Sequence, residues 1–376
     1  MYSHHRNYKL RCFLKYASRS RHFNVCQNHN ELDERPFDIK QNNQNVLVFD
    51  LDKMEEIVKK HSSRSNLAQN HKRYISFLGG TFGYLDQIYV PSSIFSELDE
   101  IKIDFPNFFE VIEFYREQIA LAIFGGKGVF SAQPLLIAGE PGVGKTAFCH
   151  RLAKIIGTFF SLISFSSMSA GFVLGGMSSN WAEGKPGKVV ETLAKGHNSN
   201  PILLLDEIDK ASGDSRYDPL GALYHLLEKE TAAAFVDEGL EVAVDCSQIV
   251  WIATANELER VPEPIVSRFT VIEVEQPKPD QMEKIVNSIY RHMREQYVWG
   301  FRFGVHLSEE VKNKIISKQV SPRLIQRELI RACGRAVLRY GVNDESFKKT
   351  INIQTEDFFI NPLSVEKETR SIGFVY

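Results

Sequence analysis

The sequence predicts an α/β fold in which a parallel-sheet domain is followed by a small helical lid domain. An unbroken apolar run, Leu135-Leu136-Ile137-Ala138, leads into a glycine-rich loop and then into a helical pattern. A second apolar run at residues 202–205 ends in Asp206-Glu207. Continuous apolar runs of this kind are typical of parallel strands buried on both faces. From Pro277 onward the apolar residues recur at steps of three and four, which is helical spacing.

The glycine-rich loop at residues 139–146 predicts a nucleotide-binding site. Its sequence matches the phosphate-binding pattern G-x-x-x-x-G-K-[ST]. Glycines let successive backbone N–H groups turn inward, and the following helix adds its positive N-terminal end. Lys145 would contact the β- and γ-phosphates, and the Thr146 hydroxyl would ligate Mg²⁺. We therefore expect ATP or GTP to be bound by Gly139, Pro141, Gly142, Val143, Gly144, Lys145 and Thr146.

Length and composition limit the remaining classes of protein. The 376 residues are enough for two or three domains, and 43% hydrophobic with 24% charged residues is ordinary for a globular protein. A net charge of -2 argues against a surface devoted to nucleic acid. No apolar stretch reaches the roughly 18 residues that would cross a membrane. The five scattered cysteines favour free thiols in a reducing compartment.

Residues 1–44 are predicted to form a disordered, basic and polar arm. No acidic residue precedes Glu31, and the segment shows no sustained periodicity. The basic bias fits a solvated tail, and we then expect a cytoplasmic protein. It also resembles a mitochondrial transit peptide, which would place the protein in the mitochondrial matrix. Residues 45–104 are expected to form a small accessory region, with a short strand at 46–49 and a helix ending near Lys60.

Two further strand ends predict the catalytic groups of the site. Asp206 follows an apolar strand about sixty residues beyond the loop lysine, and it is expected to hold Mg²⁺. Glu207 would orient and partly deprotonate the attacking water. Asn256 follows another apolar strand at 249–253, at the carboxyl end where ligands bind in open α/β sheets. Its amide would hydrogen-bond the lytic water and the γ-phosphate.

Taken together, these stretches resemble an AAA+ ATPase. The similarity lies in residues 139–146, 203–207, 253–256 and 262–269, and it is greatest to the ATPase module of Lon proteases. Further Lon-like stretches are residues 214–219, 226–230 and 242–245. The resemblance covers roughly residues 105–362. It implies an AAA+ sheet domain at 105–276, a helical lid at 277–362 and a C-terminal tail at 363–376.

The resemblance also implies an ATP-driven ring, usually a hexamer, in which a neighbouring subunit completes each active site. Arg268 aligns with the arginine finger of the family, which neutralises charge on the γ-phosphoryl group of the adjacent subunit. An ordinary surface arginine is the alternative interpretation.

Residues 175–188 lie where Lon-like proteins carry a loop that grips polypeptide in the ring pore. Those proteins have Tyr-Ile-Gly there, whereas this chain has Trp181-Ala182-Glu183. Trp181 is accordingly expected to contact a protein substrate. The alternative is a tryptophan packed against its own domain.

Arg323 is the last predicted site residue, and it belongs to the lid. Asp280 with Glu283 predicts a capped start for the first lid helix. Ser321-Pro322 predicts the start of a later helix, because serine is a common N-cap and proline suits the first helical position. By resemblance Arg323 is the sensor-2 arginine that contacts the γ-phosphate.

We therefore expect a Mg²⁺-dependent ATPase that remodels or unfolds protein substrates through a central pore. About fourteen residues follow the lid, too few for the Ser-Lys peptidase domain of Lon, so no proteolysis by this chain is expected. One alternative is a nucleic-acid-associated ATPase that binds DNA or RNA through the basic arm. Another is a regulatory switch that binds ATP with little hydrolysis. No membrane partner is expected.

Overall fold

The computed structural model describes residues 45–62, 65–167, 172–181, 184–211, 218–341 and 350–360. The predicted arm at 1–44 and the predicted tail at 363–376 lie outside these ranges. So do Ala182 and Glu183 and most of the Lon-like stretch at 214–219.

The described residues form strands, helices and short 3-10 turns. The strands are β1 (Val46–Leu47), β2 (Tyr84–Leu85), β3 (Leu135–Ala138), β4 (Phe160–Ser164), β5 (Ile202–Asp206), β6 (Phe235–Val236), β7 (Ala243–Val244), β8 (Val250–Ala255) and β9 (Thr270–Glu273). The helices are α1 (Leu51–Lys60), α2 (Asn66–Leu78), α3 (Ile94–Asp104), α4 (Phe109–Phe124), α5 (Lys145–Ile156), α6 (Phe172–Gly175), α7 (Lys188–Gly196), α8 (Leu223–Leu226), α9 (Lys229–Ala232), α10 (Glu263–Val266), α11 (Pro279–Gln296), α12 (Glu309–Ile316) and α13 (Pro322–Tyr340). The 3-10 helices are Pro106–Phe108, Phe165–Ser167, Ile208–Lys210, Leu258–Arg260 and Gly300–Arg302.

A five-stranded parallel sheet organises the larger part of the chain, in the order β4-β5-β8-β3-β9. Its strands send alternate side chains into two hydrophobic cores. In β3, for example, Leu135 and Ile137 enter the core that contains α3, α4 and α5, whereas Leu136 and Ala138 enter the core on the opposite face. The predicted parallel sheet is confirmed, and burial on both faces explains the unbroken apolar runs.

The region that precedes the sheet packs against both of its faces. Phe49, Met54 and Tyr74 from the β1–α2 segment lie in one core, and Ile94 and Leu98 of α3 lie in the other. The sequence interpretation did not include α2 or α3. The predicted strand at 46–49 is shorter than expected, because only Val46–Leu47 pair with β2 and Phe49 forms a single bridge with Val244.

The lid has a third hydrophobic core, built from α11, α12 and α13. Ser321 accepts a hydrogen bond from the backbone of Leu324, so the predicted start of α13 is confirmed. The predicted cap of α11 at Asp280 and Glu283 is wrong. The helix begins at Pro279, and the Gln281 side chain accepts a 2.9 Å hydrogen bond from the backbone N–H of Lys278.

One buried carboxylate joins the lid to the sheet domain. Asp104, at the end of α3, accepts a 2.8 Å hydrogen bond from the Ser288 hydroxyl and contacts the Arg291 guanidinium, both on α11. Its second oxygen lies 3.5 Å from His292 Nε2 and 3.9 Å from Arg151 Nε on α5. The first lid helix and the helix after the phosphate loop therefore meet at one negative charge.

Cys149, Cys246 and Cys333 are free and buried. No helix within the described ranges is both long and apolar enough to span a membrane.

We predict that Asn200→Ala destabilises the fold by about 3 kcal/mol, because three hydrogen bonds made by a buried side chain are lost. The Asn200 side chain is fully buried and accepts from Ile88 N, and its amide donates to Ile88 O and Phe130 O. It thus attaches the N-terminal region to the sheet domain. Denaturant unfolding would measure the loss.

Asn180→Ala is the matched control, because Asn180 is exposed and its side chain contacts only Ser178 Oγ, at 3.5 Å, among the described residues. It should change stability by less than about 0.5 kcal/mol. Equal effects of the two substitutions would contradict the role assigned to Asn200.

Candidate functional site

The candidate site lies at the carboxyl edge of the sheet, where β3, β5 and β8 end. The phosphate loop follows β3, Glu207 follows β5, and Asn256 follows β8. Because β8 lies between β5 and β3, these ends are neighbours in space. The strand that leads to Asn256 thus lies between the strand that leads to the phosphate loop and the strand that ends in Asp206.

The phosphate loop has the backbone conformation that its glycines permit. Gly139, Gly142 and Gly144 have φ values of 150°, 86° and 112°. A Cβ atom on Gly139 would lie 2.3 Å from the carbonyl oxygen of Val274, so no other residue fits there. The loop therefore forms the turn that lets backbone N–H groups face a phosphate.

Lys145 is nearly buried, and its ammonium group is held inside the loop. Nζ donates to Gly139 O at 2.5 Å, to Glu140 O at 3.0 Å and to Asn256 Oδ1 at 2.9 Å. Burial lowers the pKa of Lys145 to about 8, against the opposing effect of nearby carboxylates, of which Asp209 is the strongest. A bound polyphosphate would supply the anionic partner that this ammonium group lacks.

Asp206 is the centre of a hydrogen-bond network between β5, β8 and α5. Its Oδ1 accepts from Thr146 Oγ1 at 3.1 Å and from Thr254 Oγ1 at 2.7 Å. The Thr146 hydroxyl and the Asp206 carboxylate are both oxygen ligands of the kind Mg²⁺ prefers, and they already lie side by side. The donor set therefore fits a magnesium ion bound beside a nucleotide.

Glu207 is held by its backbone, and its side chain is left available. Its φ of 56° is left-handed, which turns its N–H toward Thr254 Oγ1 at 2.9 Å. Its carboxylate makes no hydrogen bond within the described part of the chain. A fixed backbone with an uncommitted carboxylate suits a group that orients water.

Asn256 is fixed at both ends. Its N–H donates to Asp209 Oδ1 at 3.1 Å, and its side-chain oxygen accepts from Lys145. Asp209 is buried, only 5% exposed. The amide of Asn256 therefore lies directly beside the lysine of the phosphate loop.

The first turn of α13 lies over the phosphate loop. A Cβ atom on Gly142 would lie 3.0 Å from Ser321 Cβ and 3.9 Å from Arg323 Cβ. The structure thus brings Arg323 to the loop, as a nucleotide-contacting arginine on the lid requires.

Arg268 is the one predicted catalytic residue that the structure keeps away from this site. It precedes β9, which pairs in parallel with β3 so that Thr270 lies opposite Leu135 and Glu273 opposite Ala138. Arg268 therefore lies at the amino edge of the sheet, and a four-residue strand of roughly 13 Å separates that edge from the loop.

Residues of its own chain hold the Arg268 guanidinium. Nη1 donates to Pro264 O at 2.5 Å, and Nε lies 3.2 Å from Glu228 Oε1. The guanidinium carbon lies 5.3 Å from the centre of the Tyr224 ring. The side chain is thus fixed on two sides although it lies outside its own nucleotide site.

Trp181 is 61% exposed, so it is not packed into its own domain. Its backbone is nevertheless held. Trp181 O accepts a 2.7 Å hydrogen bond from the Asn66 amide, and Asn70 donates to Gly184 O at 3.1 Å. The Trp181 carbonyl is therefore hydrogen-bonded to α2 while its indole is exposed.

Sequence reasoning missed two groups of the site, Thr254 and Asp209. A signal for each was present. Thr254 is a polar residue near the end of an otherwise apolar strand, two positions before Asn256, and Asp209 lies two positions after Glu207. The missed residues contact the predicted ones directly, so they complete the same network.

The fold and the site together define a P-loop nucleotide-binding domain. Residues 135–276 match the sequence model of the family described as "ATPase family associated with various cellular activities (AAA)". These residues are therefore an AAA ATPase domain, and the chain around them is similar to the ATPase part of Lon proteases.

Three Lon relatives illustrate the similarity. "Lon protease" of Neorickettsia sennetsu is 31% identical over 253 residues, covering 65% of this chain and 30% of that protein. "Lon protease" of Mesomycoplasma hyopneumoniae is 38% identical over 140 residues, covering 37% of this chain and 16% of the relative. "Lon protease homolog 2, peroxisomal" of Zea mays is 36% identical over 151 residues, covering 40% of this chain and 17% of that protein. The chain thus spans less than a third of the length of these relatives.

A solved structure entitled "Closed State CryoEM Reconstruction of Hsp104:ATPyS and FITC casein" shares the fold. The TM-score is 0.52 at 17% sequence identity, over 66% of this chain and 49% of that chain.

We predict that ATP affinity falls as the pH rises through 8, because the free protein then loses the Lys145 charge that phosphate needs. The pKa of Lys145 is about 8 in the free protein, and bound phosphate would raise it, so binding takes up a proton. Affinity should drop on the order of tenfold between pH 7.5 and pH 9. Calorimetry in buffers of different ionisation enthalpy would measure the proton uptake.

Lys145→Arg is the control, because arginine stays charged throughout this range. If that variant still binds ATP, its affinity should be independent of pH. A wild-type affinity that does not change with pH would contradict the assignment.

Proposed function

We propose that this protein is a Mg²⁺-dependent ATPase that acts as a ring, with Arg268 completing the nucleotide site of a neighbouring subunit. The observation that carries the proposal is the placement of Arg268. It is held rigidly by its own chain, yet it lies at the opposite edge of the sheet from its own phosphate loop. A second copy of the chain can bring a phosphate loop to it. By analogy with Lon-like proteins, a hexamer is the proposed assembly.

The proposed roles within one subunit follow from the contacts. Lys145 neutralises the β- and γ-phosphates, Asn256 hydrogen-bonds the terminal phosphate, and Glu207 accepts a proton from the attacking water. Thr146 and Asp206 would hold Mg²⁺, which supplies charge neutralisation when bound. Arg323 contacts the terminal phosphate from the lid and so couples lid position to the nucleotide.

The exposure of the Trp181 indole favours a polypeptide as the substrate. An exposed indole on a loop whose carbonyls are hydrogen-bonded by α2 can transmit a force without yielding. We therefore propose that ATP hydrolysis drives the remodelling or unfolding of protein substrates gripped by Trp181. Proteolysis is not proposed, because the similarity to Lon relatives concerns their ATPase region.

We predict that Arg268→Ala binds ATP normally and hydrolyses it about 10³-fold more slowly, because charge on the γ-phosphoryl group is no longer neutralised. Glu207→Gln should bind ATP and fail to turn it over. An equimolar mixture of the two variants should recover part of the wild-type rate, since some sites then combine an intact glutamate with a neighbouring arginine. Steady-state phosphate release measures all three.

Arg260→Ala serves as the matched control, because Arg260 is an exposed arginine whose one ion pair among the described residues is with Glu257. It should hydrolyse ATP normally. An inactive mixture, or full-speed hydrolysis by a monomer, would rule out the arrangement across subunits.

We predict that Trp181→Ala keeps basal ATPase activity and loses about tenfold in the rate of substrate unfolding, because an aromatic contact is removed. Trp181→Phe should retain most of the unfolding rate. The measurement is ATP-dependent loss of fluorescence from a destabilised fluorescent protein. If the wild type, Trp181→Ala and Trp181→Phe unfold the substrate at equal rates, Trp181 does not contact the substrate.

A further inference from the structure

A groove of about 400 Å³ lies beside the Trp181 loop, between α2 and α7. Phe77 of α2 and Phe172 of α6 are exposed on its walls, by 49% and 37%. Four cationic side chains surround it and one carboxylate, Glu191, opposes them. The cations are Arg73, Lys185, Lys188 and Lys195. The groove is therefore both apolar and strongly positive.

The groove also contains the hydroxyl group of a tyrosine. Tyr74 lines it and is only 6% exposed. Its ring packs against Phe49, with 6.2 Å between ring centres. Its hydroxyl makes no hydrogen bond to any residue that the structure describes. Burial and the nearby charges of Asp237 and Glu191 raise the pKa of Tyr74, so the hydroxyl keeps its proton and can donate.

Because the Tyr74 hydroxyl has no partner among the described residues and lines the groove, it is available to donate to an acceptor that enters. The surrounding positive charge specifies that the acceptor is anionic. The exposed phenylalanines specify that apolar groups accompany the anion. These three properties describe a ligand that carries carboxylates between apolar side chains.

We propose that this groove binds acidic, apolar segments of polypeptide and is a docking site for substrates on their way to Trp181. The inference rests on the proposed function, since it takes the occupant to be the protein substrate. The connection to Trp181 is short, because the Asn66 side chain of the same helix donates to Trp181 O. Lys185, on the groove wall, accepts through its carbonyl from Met177 N at 2.8 Å in the same loop.

Two contacts favour polypeptide over a nucleic-acid strand. Glu191 lies 2.7 Å from Lys188 Nζ and 2.5 Å from Lys195 Nζ, so a continuous row of phosphates would meet a carboxylate there. The Arg73 guanidinium lies over the Phe77 ring at 5.9 Å and covers a face on which a base would stack. A polypeptide can place carboxylates near Arg73 and Lys185 and apolar side chains elsewhere.

The test is fluorescence anisotropy with the full-length protein and two labelled synthetic peptides. In one peptide glutamates alternate with leucines and phenylalanines, and in the other glutamines replace the glutamates. We expect the acidic peptide to bind about tenfold more tightly than its neutral counterpart. The double variant Arg73→Glu/Lys185→Glu should lose at least about tenfold in affinity for the acidic peptide.

Tyr74→Phe provides the sharper variant, because it removes only the hydroxyl and keeps the buried ring. It should weaken binding of the acidic peptide by about three- to tenfold. The matched control is Lys59→Glu/Lys60→Glu, which makes the same charge change on the exposed end of α1 and should leave binding unchanged.

The proposal is overturned if the two peptides bind equally, if Tyr74→Phe and the double variant bind like wild type, or if a single-stranded oligothymidylate binds this groove in preference to the acidic peptide. Peptide binding needs no hydrolysis, so it is independent of the Arg268 and Glu207 mixing experiment. If the mixed variants stay inactive while the acidic peptide still binds more tightly, the ring mechanism is contradicted and the groove proposal stands. If the mixture recovers activity while the two peptides bind equally, the groove proposal is contradicted and the ring mechanism stands.

Discussion

The insertion of β8 between β5 and β3 is the constraint on which the site depends. In this order Thr254 of β8 lies beside Ile137 of β3 and next to Asp206 of β5. Asp206 and Thr254 also continue the alternation that directs side chains toward α5, the helix that carries Thr146. A strand added at the sheet edge would have left Asn256 far from Lys145. Strand order therefore decides which side chains can act together.

The parts of the site that the sequence predicts are those encoded by short local patterns. The phosphate loop, the carboxylates after β5 and the serine cap of α13 each occupy a few consecutive residues, and the structure places all of them as the patterns require. The helix α2 was missed for a physical reason. The buried stripe of α2 includes His71, whose Nε2 lies 2.6 Å from Leu240 O. A polar residue paired with a distant carbonyl interrupts the apolar spacing on which a sequence prediction relies.

The surroundings of Arg268 were beyond sequence reasoning for a different reason. Pro264 lies only four residues before Arg268, but Tyr224 and Glu228 come from a segment about forty residues earlier, and only the folded chain brings that segment to the guanidinium. Their effect is to fix the side chain before any partner arrives. An arginine that is already ordered loses little conformational entropy on binding a phosphate, so these intrachain contacts would strengthen the proposed interaction with a neighbouring subunit.

The lid is attached to the nucleotide-binding part at two places with different physical character. At one, Ser321 and Arg323 lie directly beside Gly142 of the phosphate loop. At the other, Asp104 is buried against Ser288 and Arg291 of α11, and separation would leave a buried charge without its partners. The second contact is therefore the harder one to break. Because Arg151 of α5 also approaches Asp104, a lid rotation that preserves this contact would pivot near the carboxylate and would displace the more distant Ser321 and Arg323 further.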